Sequence, residues 1–538
     1  MTAVVQKVAV DFDGESLDLR TIRRVAEDRL PCAVSPQALA KAAASRKVFE
    51  DIARQNTPIY GVTTGYGEMI YMQVDAAQET ELQTNLVRSH CAGVGPHFNE
   101  VEARAMLAAR LNALAKGYSA VRPELLERMA LYLNLGITPM IPEIGSLGAS
   151  GDLAPLSHIA VTLIGEGYVL RDGKPVPTAE VLAEHGIEPL QLKFKEGLAL
   201  INGTSAMTGL GSLVVDGALD QVRQAEIITA LVVETMRGST SPFLPEGHDI
   251  ARPHQGQIDT AANMRTLMRD TALAVEHAEL REQAKQQKSD AAGEGNVART
   301  EVYMQKAYTL RAIPQVVGAV RDTLYHAERT LRTELNSSND NPLFFEGQEV
   351  FHGANFHGQP VAFAMDFVTI ALTQLGVFSE RRTNRLLNRH LSDGLPEFLV
   401  AGEPGLNSGF AGAQYPATAL VAENRTINPA STQSVPSNGD NQDVVSMGLI
   451  ATRNARRVLQ NNTVILAVEL LAAAQAVDLH GCADRLSPSS RQAYEWIRAF
   501  IPTLDRDRYM ADDITAVATA LGEGGLLDAV TADGTQLR

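Results

Sequence analysis

The chain has 538 residues, 45% hydrophobic and 20% charged, a composition that supports more than one apolar core. A net charge of −16 argues against a nucleic-acid partner. Three scattered cysteines, Cys32, Cys91 and Cys482, argue against a disulfide framework or a zinc site and suit a reducing cytoplasm. The opening residues lack the apolar run of a secretion signal. Val8–Leu17 predicts a short hairpin turning at Asp13-Gly14, and helical periodicity dominates after it. Residues 98–135 predict two helices broken near Gly117 and Pro123. The segment 171–194 is punctuated by proline and glycine and predicts a small satellite of strands. Segments 206–237, 303–335, 361–390 and 447–479 predict long helices, too apolar on all sides for surface helices and therefore packed as a central bundle. The run Val361–Val377 is broken by Asp366, so it reads as a bundle helix rather than a membrane span. Gln283–Arg299 predicts an exposed polar loop, and the last fifty residues two or three short helices.

Gly145-Ser-Leu-Gly-Ala-Ser-Gly-Asp-Leu-Ala-Pro155 is the most unusual run in the chain. Glycine and serine close tight turns. In such a turn the Gly151 amide nitrogen can attack the Ala149 carbonyl carbon to close a five-membered ring, and loss of water from Ser150 leaves an exocyclic alkene, an electrophile. The alternative is a helix-capping turn with Ser150 or Asp152 as the cap. Asn56–Gly67 holds glycine hinges between the apolar anchors Ile59, Tyr60 and Val62, the pattern of a lid. Tyr60 is there either a packed aromatic or a proton-transfer group, the latter requiring donors to its phenolate. Gln305, Tyr308 and Arg311 are spaced to share one helical face. Apolar flanks suggest that Arg311 is buried, and a buried arginine needs an anion, such as a substrate carboxylate. Three polar loops, 336–342, 352–358 and 438–443, suggest convergence at helix ends, where positive potential favours a developing anion. His248 and His254 fit no metal-ligand spacing, and hydrolase, dinucleotide and P-loop signatures are missing.

These motifs together resemble the aromatic amino-acid ammonia-lyases and aminomutases that use 4-methylidene-imidazol-5-one (MIO). The tripeptide run, the Tyr60 loop, Ile201–Ser205, Arg252–Gln257, Gln305-x-x-Tyr308-x-x-Arg311, Asn339–Pro342, Gly353–Gly358 and Asn441-Gln-Asp follow the family's order over roughly residues 50 to 450. Tyr60–Met72 and Ser408–Thr418 resemble in detail the bacterial tyrosine 2,3-aminomutases of enediyne antibiotic pathways. The resemblance implies a mainly α fold with a long central helix bundle of the histidine/phenylalanine ammonia-lyase type and a little β structure near the N-terminus and at 171–194. It implies three regions: an MIO-bearing and lid-loop domain at 1–205, the bundle at 206–480 and short C-terminal helices at 481–538. It also implies a homotetramer with sites shared between subunits, an aromatic amino-acid substrate, no metal or nucleotide, and no nucleic-acid or membrane partner.

Residue by residue, the resemblance implies that Ala149, Ser150 and Gly151 form MIO autocatalytically, that Tyr60 removes the β-proton, and that Asn202 and Tyr308 polarise the ring. Arg311 would clamp the carboxylate. Gly67 and Glu68 would lie beside the amine and α-carbon, and Phe356 near MIO. Gln305, Asn438, Asn441 and Gln442 would complete the polar shell, while His90 and Tyr415 would reach a phenol hydroxyl. Asn441-Gln442 departs from the Gln-Glu expected of a histidine enzyme, and His90 suits a phenol better than an apolar ring. Cys91 stands where the nearest tyrosine enzymes carry serine, which leaves a modified ring such as an aza-tyrosine open. Both a mutase yielding β-tyrosine and a lyase releasing coumarate and ammonia share these groups. The mutase is the reading preferred here, ahead of an inert helical bundle.

Overall fold

A computed structural model describes residues 9–55, 59–61, 64–65, 67–69, 71–75, 78–290 and 305–538. In chain order it runs β1 (Val10–Phe12), α1 (Leu19–Glu27), β2 (Cys32–Val34), α2 (Pro36–Ala53), α3 (Glu79–His90), β3 (Val94–His97), α4 (Glu100–Ala115), α5 (Pro123–Leu135), β4 (Thr138–Pro139), β5 (Pro142–Ile144), α6 (Leu153–Leu163), β6 (Tyr168–Arg171), β7 (Lys174–Pro177), α7 (Thr178–Glu184) and α8 (Glu196–Ile201). The long helices follow: α9 (Ser205–Thr235), α10 (Gln255–Leu267), α11 (His277–Asp290), the single turn α12 (Tyr308–Arg311), α13 (Ile313–Leu335), α14 (Gln359–Leu387), α15 (Ala411–Asn424) and α16 (Gly448–His480). Three short helices, α17 (Pro488–Arg498), α18 (Met510–Gly522) and α19 (Gly525–Thr531), close the chain.

The backbone forms two compact units, each discontinuous in sequence. The first holds 1–216, 326–367 and 428–455; the second holds 217–325, 368–427 and 456–538. In the first unit, local signals set the helix ends. Asn99 and Glu102 form a reciprocal capping box at α4, with each side chain accepting the other's backbone N–H. Pro123 opens α5, and Gly136, at φ 70°, ends it. α4 is buried on nearly every side, Arg104, Arg110 and Asn112 included. An apolar cluster of Phe49, Ile59, Ala120, Phe194 and Phe344 anchors α2 to the base of the Tyr60 loop, and Phe49 meets Phe344 edge-on at 5.2 Å. Asp366, the charge inside the apolar run of α14, is buried and accepts the amides of Ala430 and Ser431, which fixes the approach to the 437–442 loop.

The second unit packs α15 against α16 through Ala417, Val421, Ile465 and Val468. It buries two ion pairs, Arg321–Glu226 at 2.7 Å and Arg382–Glu469 at 2.5 Å. α14 and α16 each hold a window long and apolar enough to cross a membrane, but 67% and 72% of those windows are buried inside the protein.

Three expectations need correction, the first being one long helix over 303–335: residues 305–307 are not helical, α12 is a single turn, and the long helix α13 begins only at Ile313. The described residues 9–17 of the expected hairpin make none: β1 pairs in parallel with β2, Val10 opposite Cys32, and Val8 lies outside the described residues. Asp13 instead accepts the amides of Glu15 and Ser16 in a local turn that redirects the chain into α1. Residues 283–290 are not loop but the end of α11, whose length provides the i,i+4 bond between Gln283 and Glu279. The remainder of that predicted loop, 291–299, lies outside the described residues. The satellite at 171–194 is the β6–β7 hairpin, antiparallel with Arg171 opposite Lys174, followed by α7.

Candidate active site

β5 runs into Gly145 and the tripeptide, and α6 begins two residues beyond Gly151. The loop is wound tightly. Gly148 (φ 74°) and Gly151 (φ 74°) occupy the left-handed region and pair with each other in an isolated bridge. A Cβ on Gly151 would sit 2.1 Å from the Gly203 carbonyl oxygen, and one on Gly148 would sit 2.2 Å from Ser446 Oγ. Only glycine fits either place.

The Ser150 carbonyl oxygen accepts two hydrogen bonds, from Asn202 Nδ2 and from the Gly203 amide, both at 3.2 Å. Two well-directed donors on one carbonyl oxygen are the arrangement that stabilises negative charge there. Asn202 is 4% exposed, and its other end is also engaged: Oδ1 accepts the Asn341 amide at 2.8 Å. Asn341 Oδ1 accepts the Gly353 amide at 2.7 Å. The loops 336–342 and 352–358 therefore meet beneath Asn202.

Arg110 braces this layer from α4. It is fully buried and donates to the carbonyls of Ala199 and Asn202, to Asn339 Oδ1 at 2.9 Å and to Ser205 Oγ at 3.3 Å. Burial pushes its pKa down to about 10, against the opposing pull of Asp340 and Asp152. Asp340 is itself paired with the buried Lys195 at 2.6 Å. Asp152 is buried and accepts from Ser146 Oγ at 2.9 Å and from the Met207 amide at 2.8 Å, so its carboxylate closes the first turn of α9. Burial outweighs those donors and raises its pKa to about 7. The amino ends of α6 and α9 both lie at the tripeptide, and Met447, just before α16, donates its amide to Leu147.

A cavity of about 400 Å³ opens over Ala149, Ser150 and Gly151. Tyr60, Gly67, His90, Asn202, Asn438 and Gln442 share its wall with the apolar Leu86, Leu153, Leu198 and Ile201. Tyr60 is half-buried, and its phenol oxygen accepts the Gly67 amide at 3.1 Å. Gly67, at φ 54°, has Asn438 Nδ2 against it, 2.1 Å from where a Cβ would stand. Gln442 reaches Ser150 Oγ at 3.5 Å, and Ser437 Oγ donates to its Oε1 at 2.9 Å. At the far end, His90 Nδ1 lies 2.9 Å from the Leu86 carbonyl. A carbonyl only accepts, so Nδ1 is the donor in that pair, and Nε2 is the ring nitrogen not engaged by it.

The other candidate residues are not among the described residues that line this wall. The Glu68 side chain lies outside the described residues. Asn441 is exposed and Phe356 half-buried in the first unit, and neither lines the cavity. Gln305, Tyr308, Arg311 and Tyr415 belong to the second unit. Gln305 precedes α12, so the three residues predicted on one helical face are not on one helix. Arg311 is half-buried rather than buried; it donates to the Lys306 carbonyl and lies over the Tyr308 ring at 4.7 Å. Tyr308 and Tyr415 are 70% and 72% exposed. His248 is held between the Pro242 carbonyl and Gln257.

Sequence reasoning overlooked Arg110. Its signal was an arginine in Ala108–Leu114, a stretch apolar but for Arg110 and Asn112, in a helix with no continuous polar side.

Residues 17–499 match the family model described as aromatic amino acid lyase. The MIO-dependent tyrosine 2,3-aminomutase of Streptomyces globisporus is 74% identical over 523 residues, 97% of this chain and 96% of that protein. The tyrosine ammonia-lyase of Cupriavidus metallidurans is 58% identical over 529 residues, 98% of each. The crystal structure of the Streptomyces globisporus tyrosine aminomutase superposes with a TM-score of 0.97 at 72% identity, covering 99% of this chain and 100% of that one. The mainly helical fold, the tripeptide loop and these likenesses agree: the chain belongs to the aromatic amino acid lyase family.

Proposed function

We propose that the protein is an MIO-dependent tyrosine 2,3-aminomutase, converting L-tyrosine or a close ring analogue to the β-amino acid. The observation that carries this is the Ser150 carbonyl oxygen held by Asn202 Nδ2 and the Gly203 amide, in a cavity that also presents Tyr60 and His90. The residues fit MIO, because the ring's atoms come from the tripeptide backbone and the glycine cradle leaves no room for a Cβ at Gly151. Its formation needs no outside reagent. Gly151 N bonds to the Ala149 carbonyl carbon with loss of one water, and Ser150 loses a second to give the alkene. MIO supplies an electrophilic alkene that takes up the substrate amine and lets it leave.

The chain's own groups do the rest. The ring oxygen descends from Ser150 O, so Asn202 and Gly203 stabilise charge arriving there. Tyr60 removes the β-proton, and the Gly67 amide donates to the phenolate oxygen while it acts as a base. His90 Nε2 accepts a phenol O–H, which favours tyrosine over phenylalanine. Asn438, Asn441 and Gln442 complete the polar shell, with Gly67 and Glu68 beside the amine and α-carbon.

Arg311 as carboxylate clamp, Tyr308 and Gln305 beside the ring, Tyr415 at the phenol and Phe356 near MIO are assigned to neighbouring subunits of a homotetramer. The exposure of Tyr308 and Tyr415 supports that assignment. Likeness of Tyr60–Met72 and Ser408–Thr418 to aminomutases of enediyne pathways supports a role in antibiotic biosynthesis, and the three free cysteines support a reducing cytoplasm.

A second reading is a tyrosine ammonia-lyase, favoured by the Cupriavidus metallidurans relative. The two differ in whether the acrylate is retained until the amine returns. Chromatography with mass detection after incubation with L-tyrosine separates them. Mostly β-tyrosine is the expected result. Mostly coumarate and ammonia would establish the lyase, and neither product would overturn tyrosine as the substrate.

A further inference from the structure

His158 lines no part of the cavity, yet it grips the loop that leaves His90. α3 ends at His90, and the chain turns through Cys91, Ala92 and Gly93 into β3. α6, the helix that starts from the tripeptide, meets this turn at two successive residues. The Cys91 thiol donates to the Ser157 carbonyl at 3.2 Å, and the Gly93 amide donates to His158 Nε2 at 3.3 Å. Gly93 is also where the two loops of the site touch: a Cβ there would stand 3.0 Å from His158 Nε2, and one on Gly145 would stand 3.3 Å from Gly93 Cα. His158 accepts through Nε2 and is therefore the neutral Nδ1-protonated form, in keeping with a pKa lowered by burial.

We propose that His158 is a positioning residue that sets the distance between the tripeptide and His90, and so governs how well the enzyme tells a phenol from an unsubstituted ring. This rests on the assignment of His90 to the substrate phenol. α6 is a rigid rod fastened at its amino end to the electrophile, and the Cys91 and Gly93 contacts fasten its side to the ring-end turn. Both ends of a bound substrate are thereby referred to one helix. Of the two hydrogen bonds that fasten the turn to α6, release of the Gly93 amide leaves the one from the thiol, a weak donor. His90 then loses its fixed reach, while the groups around Ser150 are untouched.

The test is steady-state kinetics on L-tyrosine and L-phenylalanine for His158→Ala, His158→Gln, Gly93→Ala and His90→Ala. For His158→Ala the expected result is a KM for tyrosine raised about fivefold to tenfold, the effect of one lost hydrogen bond, with kcat held within about twofold. The tyrosine-to-phenylalanine ratio of kcat/KM should narrow by the same factor. His158→Gln offers a carbonyl oxygen at similar reach and should recover most of the ratio; loss of folding alone would not be rescued in this way. Gly93→Ala presses a methyl group against Nε2 and should narrow the ratio as well, which decides the matter if His158→Ala does not fold. The proposal is overturned if folded His158→Ala or Gly93→Ala enzyme keeps the parental ratio. If His90→Ala itself keeps that ratio, the phenol assignment falls instead. If His90→Ala narrows it and the other two do not, only the positioning role falls.

Discussion

Replacing Asn202 separates two jobs done by one side chain. Its Nδ2 donates to Ser150 O at 3.2 Å, and its Oδ1 accepts the buried Asn341 amide at 2.8 Å. Asn202→Ala removes both. The orphaned Asn341 N–H should cost about 1–3 kcal/mol of stability, and loss of one of the two donors on the Ser150 oxygen should lower kcat by about 10²–10³. Asn202→Asp keeps an acceptor for Asn341 and loses the donor, so it should recover part of the stability and none of the rate. Urea unfolding and product formation from L-tyrosine, measured on both variants with the tripeptide's maturation checked by intact mass, read the two effects separately. Aspartate enzyme with the parental kcat, or alanine enzyme with parental rate and stability, would refute the two-ended role.

Three further outcomes follow from the geometry. Gly151→Ala sets a Cβ 2.1 Å from Gly203 O at a φ of 74°, so its intact mass should equal that of the unmodified chain, whereas the parent should be lighter by two waters. Tyr60→Phe and Arg311→Ala should each lower turnover by at least about 10²-fold, and co-refolding the two should restore activity if sites draw on more than one chain; mixed oligomers without activity would refute shared sites. Asp152, with a pKa raised to about 7 by burial, binds a proton in the folded state that the unfolded chain has released. Its contribution is therefore greatest near pH 4 and is lost as pH rises through 7, an effect of about 4 kcal/mol at most. Comparison of urea midpoints at pH 5 and pH 8 should show a smaller pH slope for Asp152→Asn than for the parent.

What the chain's order alone determined is what neighbouring residues can settle between themselves. Pro123 and the glycines around Ser150 act over a few positions, so, although the equally local Asn99–Glu102 capping box went unread, the break between the two helices of 98–135 and the tight tripeptide loop were legible. So was the apolar character of the long helices, because burial on all sides leaves no polar face to hide. Tertiary structure decided which distant segments meet. Val10 pairs with Cys32 rather than with its own neighbours, because a strand of three residues carries too little pattern to choose its partner. Asn202 meets Asn341 across 139 positions, and Arg110 meets Asn339 across 229. Such contacts belong to no local period: they arise because fully buried donors and acceptors must find partners once the core has closed. That requirement brought Asn202, which the Ile201–Ser205 motif singles out, and the Gly203 amide, which no motif marks, onto the Ser150 carbonyl oxygen.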